Sequence, residues 1–238
     1  MKDALGSVQS VLILGGNSDI AIATAKKLVS ARTRTVVLAV ALALTAASLA
    51  AQAPAGWKVQ IDRSTNAADP DNTPNLKFMT MGKGFHVTGG PAGVFWNPAN
   101  TASGDFTASA TFTLMKPSGH TNYYGLVFGG ADLGTATANY IYFLVAQDGN
   151  YLVNHMQGSQ AHPVQAKTPH ASIVKPSANG QSVNALEVRV AGNTISYVVN
   201  GQVVHTTPKT GMTAKTDGLV GVRINHVLDV QVDGFERS

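Results

Sequence analysis

The sequence contains no cysteine in its 238 residues, which excludes disulfides, thiolate metal sites and cysteine nucleophiles. Export is not excluded, because a β domain of this size buries enough surface to stand without covalent staples. Charge is scarce as well, at 13% of residues with a formal balance of +4. Five basic residues (Lys2, Lys26, Lys27, Arg32, Arg34) against Asp3 and Asp19 put +3 of that before residue 54, leaving 12 minus 11, or +1, for the rest. A nearly neutral remainder without a basic stripe lacks the footprint of phosphate-backbone binding, so no nucleic-acid partner is expected. Aromatic residues are missing before Trp57, which places the core, and the single large domain built on it, in residues 54–238.

The first 53 residues read differently. Residues 11–14 form a short apolar run, then come Gly15-Gly16-Asn17-Ser18-Asp19-Ile20-Ala21 and apolar residues at helical spacing, Ile22, Ala25, Leu28 and Val29. Strand, glycine turn and helix in that order resemble the N-terminus of short-chain dehydrogenase/reductases, nearest to those of the decaprenylphosphoryl-2-keto-ribose reductase type. The resemblance implies a turn that lets the backbone approach a dinucleotide pyrophosphate. It covers about 39 residues, with Ala21 at the last glycine position, and stops there. No Tyr-x-x-x-Lys follows: four positions after the six tyrosines stand Val127, Phe128, Leu144, Ala146, His155 and Gly201. Without that acid and its lysine no hydride-transfer site is expected, and residues 1–35 read as a truncated βα fragment with no cofactor.

Residues 36–51 (VVLAVALALTAASLAA) are almost unbroken small and apolar side chains, preceded by Arg32 and Arg34 and followed by Gln52-Ala53-Pro54. That is the order of a signal peptide, with its best cleavage point after Ala50. A buried core helix or strand is the alternative, and the run is short for a transmembrane helix. Residues 36–53 are therefore expected to direct export to a secreted or periplasmic location, touching membrane only before cleavage. A junction near residues 35–39, joining reductase-like sequence to a secretory precursor, accounts for both halves.

After Trp57 no long 3.6-residue pattern appears, while period-two alternation recurs. Residues 106–114 place Phe106, Ala108, Ala110, Phe112 and Leu114 on one face and Thr107, Ser109, Thr111 and Thr113 on the other. Residues 185–191 repeat the pattern, and Asn200-Gly201 between 194–199 and 202–206 marks a type I′ hairpin. Further strands are expected at 58–61, 77–81, 84–87, 123–128, 140–145, 151–156, 218–223 and 227–235. About a dozen short strands separated by turns indicate an all-β fold, a two-sheet antiparallel β-sandwich or jelly roll.

The strand pattern resembles the concanavalin A-like lectin/glucanase superfamily, nearest to laminin-G-like and 3-keto-disaccharide hydrolase-type domains. The residues that carry it are FTASATF (106–112), YGLVF (124–128), YIYFLV (140–145) with Asp148-Gly149, LEVRV (186–190), Val199-Asn200-Gly201 and GLVGV (218–222). Enzymes of that superfamily pair two glutamates around an aspartate on one strand, one to protonate the leaving oxygen and one as nucleophile. Here the only glutamates are Glu187 and Glu236, neither in such a neighbourhood, so the catalytic residues of a glycoside hydrolase are unknown and an enzyme is the second reading. Asp229 and Asp233 alternate with core residues and read as a solvated face. The seven histidines show no i, i+2 or i, i+4 pair, and Asp69-Pro70-Asp71-Asn72 lacks the glycine and final glutamate of a calcium loop, so no metal is expected.

The resemblance implies instead a sheet face or its rim that holds a glycan or cell-surface polymer. Sugar rings stack on aromatics while amides and imidazoles bond their hydroxyls. The candidates are Trp96, in an expected loop of Phe95-Trp96-Asn97-Pro98, His120 and Asn122 beside Tyr124, and Tyr142 and His155 on neighbouring strands. Core packing competes for each of them, Tyr124 and Tyr142 foremost. A loop tryptophan beside a proline is costly to expose without purpose, so Trp96→Ala is expected to weaken binding and leave the melting temperature nearly unchanged. A purely structural or interaction domain is the third reading.

Overall fold

Period-two burial folds this chain into two stacked sheets. The computed structural model describes residues 53–62, 66, 68, 69 and 76–238, all within the compact unit Ala50–Ser238. The βα fragment and the apolar segment expected before residue 53, and residues 70–72 of the acidic turn, lie outside the described residues.

Fourteen strands follow in order: β1 (Lys58–Asp62), β2 (Lys77–Met81), β3 (Gly84–Thr88), β4 (Ala92–Ala102), β5 (Phe106–Lys116), β6 (Tyr123–Ala131) and β7 (Asn139–Ala146). The second half continues with β8 (Asn150–Gln157), β9 (Gln160–Pro169), β10 (Ser182–Ala191), β11 (Thr194–Val199), β12 (Gln202–Pro208), β13 (Gly218–Ile224) and β14 (Asp229–Arg237). A single 3₁₀ turn, Gly211–Thr213, is the one helical element among the described residues, and no helix there is long and apolar enough to cross a membrane. Sheet I has the order β1-β4-β13-β6-β7-β8-β9 and sheet II the order β12-β11-β10-β5-β14-β3-β2, with every pairing antiparallel.

The core lies between the sheets. Phe112, Leu114, Leu186, Val188, Val230 and Val232 of sheet II meet Phe95, Tyr124, Leu126, Phe128, Phe143 and Val222 of sheet I, all essentially without solvent exposure. Burial of this set is the main driving force of the fold, at about 25 cal/mol per Å² of apolar surface. The β11–β12 hairpin turns as the sequence demands, with Asn200 at φ 50° and Gly201 at φ 80°, the positive angles of a type I′ turn. Asn200 also ties that turn to the domain: its Oδ1 accepts from Ala185 N at 2.8 Å, and its Nδ2 donates to Ser172 O at 2.7 Å.

Two strands depart from the sequence-based expectation. β4 carries Gly93, Asn97, Pro98 and Asn100, turn-forming residues that read as a loop. Its ladder with β13 breaks where Trp96 pairs Gly221 and Thr101 pairs Leu219, so residues 97–100 bulge opposite Val220 and the proline needs no ladder hydrogen bond. β9 contains Pro163 and Pro169 and is the edge of sheet I, where proline is tolerated. Trp96 therefore belongs to a strand, and it is only 4% exposed.

Candidate functional site

The two faces of sheet I differ in chemistry but not in burial. Along β7, Ile141, Phe143 and Val145 point into the core, while Tyr140, Tyr142, Leu144 and Ala146 point to the outer face. Register extends that outer face across the sheet to Tyr123 and Val127 of β6, Leu152, Asn154 and Met156 of β8, Arg223 of β13 and Val94 and Trp96 of β4. Most of these side chains are buried in a second apolar cluster, with Leu133 and Leu219 packed against it. Gly134, at φ 92° in the β6–β7 loop, donates its N–H to Gln60 Oε1 at 2.8 Å, and a Cβ there would come within 3.3 Å of the Trp96 ring.

In the middle of this face stands Arg223, 7% exposed. Taking a guanidinium out of water is costly unless its charge and donors are met. Nη1 donates to Asp62 Oδ2 at 2.5 Å and to Tyr140 Oη at 3.0 Å, and the guanidinium carbon lies 5.3 Å from the centre of the Tyr142 ring. Asn154 Nδ2 donates to Tyr142 Oη at 2.9 Å, which fixes the second phenol. Burial opposes the charge on Arg223, but the Tyr140 phenol and the Asp62 carboxylate favour it and leave its pKa raised. Burial likewise pushes Tyr140 up to about 12, with Arg223 pulling the other way. The cluster thus gathers a guanidinium, a carboxylate, two phenols and an amide on one sheet face, bonded to one another.

A second polar group closes one end of the face, where β13 leaves the sheet and β6 enters it. Asn122 Nδ2 donates to Ser118 Oγ at 2.9 Å and to His120 Nε2 at 3.2 Å, and Ser118 Oγ donates to His120 O at 2.6 Å. Gln147 Nε2 donates to Ser118 O at 3.0 Å, pinning the β5–β6 loop to the β7–β8 turn. His226, in the β13–β14 loop, meets His120 edge to face with ring centres 5.4 Å apart. Val227 follows at φ 61°, a left-handed conformation that a β-branched residue adopts only under constraint.

The structure separates the residues chosen from the sequence. Trp96 and Tyr142 share the outer face of sheet I, and His120 and Asn122 lie together at its end. Tyr124 does not join them: alternation turns it into the core, where its hydroxyl accepts from Asn184 Nδ2 at 3.1 Å. His155 pairs in register with Ile141, so it lies on the opposite face from Tyr142; its Nε2 donates to Asn139 Oδ1 at 3.0 Å. Burial lowers its pKa, as does His162 alongside. The residues that sequence reasoning missed are Arg223, Asp62, Tyr140 and Asn154. The one available signal was Arg223 itself, a lone charge in the apolar strand GLVGVRI.

Sheet II brings the two glutamates nearer than their sequence separation suggested. Glu187 on β10 and Glu236 on β14 both pair in register with Ser109, one on either side of β5. Glu187 is held by Arg189 through both carboxylate oxygens. Asp229, on the outer face of the same sheet, is bonded to His86. Among the described residues no group of three or more His, Asp or Glu side chains is placed to hold a metal ion.

No family model matches the chain and no curated protein matches it in sequence, so the reductase-like reading of residues 1–39 gains no support. Solved structures do match the fold. A carbohydrate-binding module, CBM66, from Bacillus subtilis is 13% identical over 77% of this chain and 95% of its own, with a TM-score of 0.55. A Bacillus subtilis protein of unknown function with a galectin-like fold is 13% identical over 76% and 88%, also at 0.55. A point mutant of the Emp46p carbohydrate recognition domain is 12% identical over 74% and 85%, at 0.50. At these identities the likeness establishes the fold, a galectin-like sandwich of the concanavalin A type, and nothing about ligands.

Proposed function

We propose that this protein is a carbohydrate-binding module, acting outside the cytoplasm, whose glycan lies on the outer face of sheet I. One observation carries the reading: Arg223, Asp62, Tyr140, Tyr142 and Asn154 are bonded into one cluster on a sheet face that, in an ordinary antiparallel sandwich, would be merely solvated. Preorganised planar donors beside aromatic rings are what a sugar ring requires, since its hydroxyls need directional partners and its C–H faces need an apolar floor. The carbohydrate-binding proteins that share the fold support the reading by analogy.

The test is a glycan and polysaccharide array probed with the full chain, with Asn154→Ala and Tyr142→Phe beside it. Retention of particular glycans by the wild type, weakened in both variants, is the expected result. Equal retention by all three would move the site elsewhere. The placement of Glu187 and Glu236 around Ser109 favours a second reading, a glycoside hydrolase working on sheet II. Against it, Glu187 spends both oxygens on Arg189. Release of reducing sugar that stops in Glu236→Gln would restore it.

A further inference from the structure

Two polar atoms at one end of sheet I are buried without any hydrogen-bond partner: the Tyr123 hydroxyl, on its outer face, and the Asn225 Oδ1, just past the end of β13. The residues that carry them are neighbours along the backbone ladder. Ile224 pairs with Tyr124, and the ladder runs one residue further, Asn225 N donating to Tyr123 O at 2.9 Å. That bond holds Asn225, just past the end of β13 and two residues after the outward-facing Arg223, beside Tyr123. A buried donor or acceptor left unmet forfeits its bonds to water and gains nothing in return, so two on neighbouring residues at one end of the sheet call for a cause.

The immediate surroundings supply polar and movable groups. Lys167, an exposed residue of β9, holds its Nζ 5.3 Å from the centre of the Tyr123 ring, a cover that a flexible side chain can withdraw. The His120–Asn122–Ser118 group and His226 lie at the same end of the sheet, and the strained Val227 sets the path of the loop that carries Asn225. Burial, with Asp148 adding to it, pushes the Tyr123 pKa up to about 12, which keeps the phenol a donor at any physiological pH.

We infer that Tyr123 and Asn225 form a subsite for a single sugar hydroxyl, which accepts from the Tyr123 O–H and donates to Asn225 Oδ1 when Lys167 swings aside. The pairing fits one alcohol group completely, since the phenol needs an acceptor and the amide oxygen a donor, and a hydroxyl is both. An anion would satisfy Tyr123 and repel Asn225 Oδ1, so the subsite takes a neutral hydroxyl in preference to a carboxylate or phosphate. The inference rests on the outer face of sheet I being the glycan site, and it adds the end of that face to the central cluster.

The experiment compares the full-length wild type with Tyr123→Phe, Asn225→Ala and the double variant. Thermal melts come first, followed by titration with whichever array oligosaccharide the wild type retains. Tyr123→Phe is expected to melt at or above the wild-type temperature, because it deletes an unmet hydroxyl, and to bind roughly fivefold more weakly. The double variant is expected to lose less than the product of the single losses, as two groups gripping one hydroxyl must. A clear drop in melting temperature for Tyr123→Phe would overturn the inference, for it would show that the hydroxyl is already satisfied in the free protein. Unchanged affinity in Tyr123→Phe, with Tyr142→Phe weakened, would also overturn it and leave the glycan face standing. Absence of any array response in the wild type would withdraw both.

Discussion

On the outer face of sheet II, β5 and β10 follow alternation as the sequence writes it: Thr107, Ser109, Thr111, Glu187 and Arg189 face outward while their neighbours are buried. On the outer face of sheet I, β6 and β7 bury nearly every residue on both sides. The same backbone geometry therefore carries a plain solvated surface on one side of the sandwich and, on the other, an aromatic layer with a buried arginine set into it. A sandwich needs only its inner faces to be apolar, so a second buried layer on the outer side of one sheet alone is what sets sheet I apart from sheet II.

Substitutions sharpen that contrast, the largest effect first. Trp96→Ala should destabilise the protein by about 3–5 kcal/mol in denaturant unfolding, the usual cost of emptying a buried aromatic site. That reverses the sequence-based expectation of an unchanged melting temperature, because the ring lies in β4 at 4% exposure rather than in a loop. Arg223→Met should cost about 2–3 kcal/mol, somewhat less than breaking a fully buried pair, because the Asp62 it leaves behind is 31% exposed. Tyr142→Phe removes the acceptor for Asn154 and should cost about 1 kcal/mol in stability, with a clear loss of glycan retention. On sheet II, Thr107→Ser and Glu187→Gln should each stay within about 0.5 kcal/mol and leave glycan retention unchanged. If the sheet II changes proved as costly as those on sheet I, the contrast would fail.

Much of the fold was legible in the sequence because one-sided burial leaves a period-two trace. β2 and β11 begin and end where alternation and the Asn-Gly turn placed them. β4 was hidden because its bulge accommodates Pro98 and the asparagines that normally signal a loop, and β9 because an edge strand admits Pro163. The site was far less legible. Tyr124 and Tyr142 both read as aromatics in apolar strands, and only register decides that one enters the core while the other lies beneath Arg223. His155 failed for the same reason, being one residue out of phase with Asn154, which does reach Tyr142. Asp62 was beyond reach altogether, since its partner Arg223 is 161 residues away and meets it only through the pairing of β1 and β13 with β4.

The most direct measurement is an amide chemical-shift map of the full chain titrated with an oligosaccharide that the wild type retains on the array. Perturbations should gather on Gly125, Val127, Tyr142, Asn154 and Arg223, which share the outer face of sheet I. Perturbations gathered instead on Ser109, Thr111 and Glu187, across the sandwich on sheet II, would contradict the assignment of that face as the glycan site.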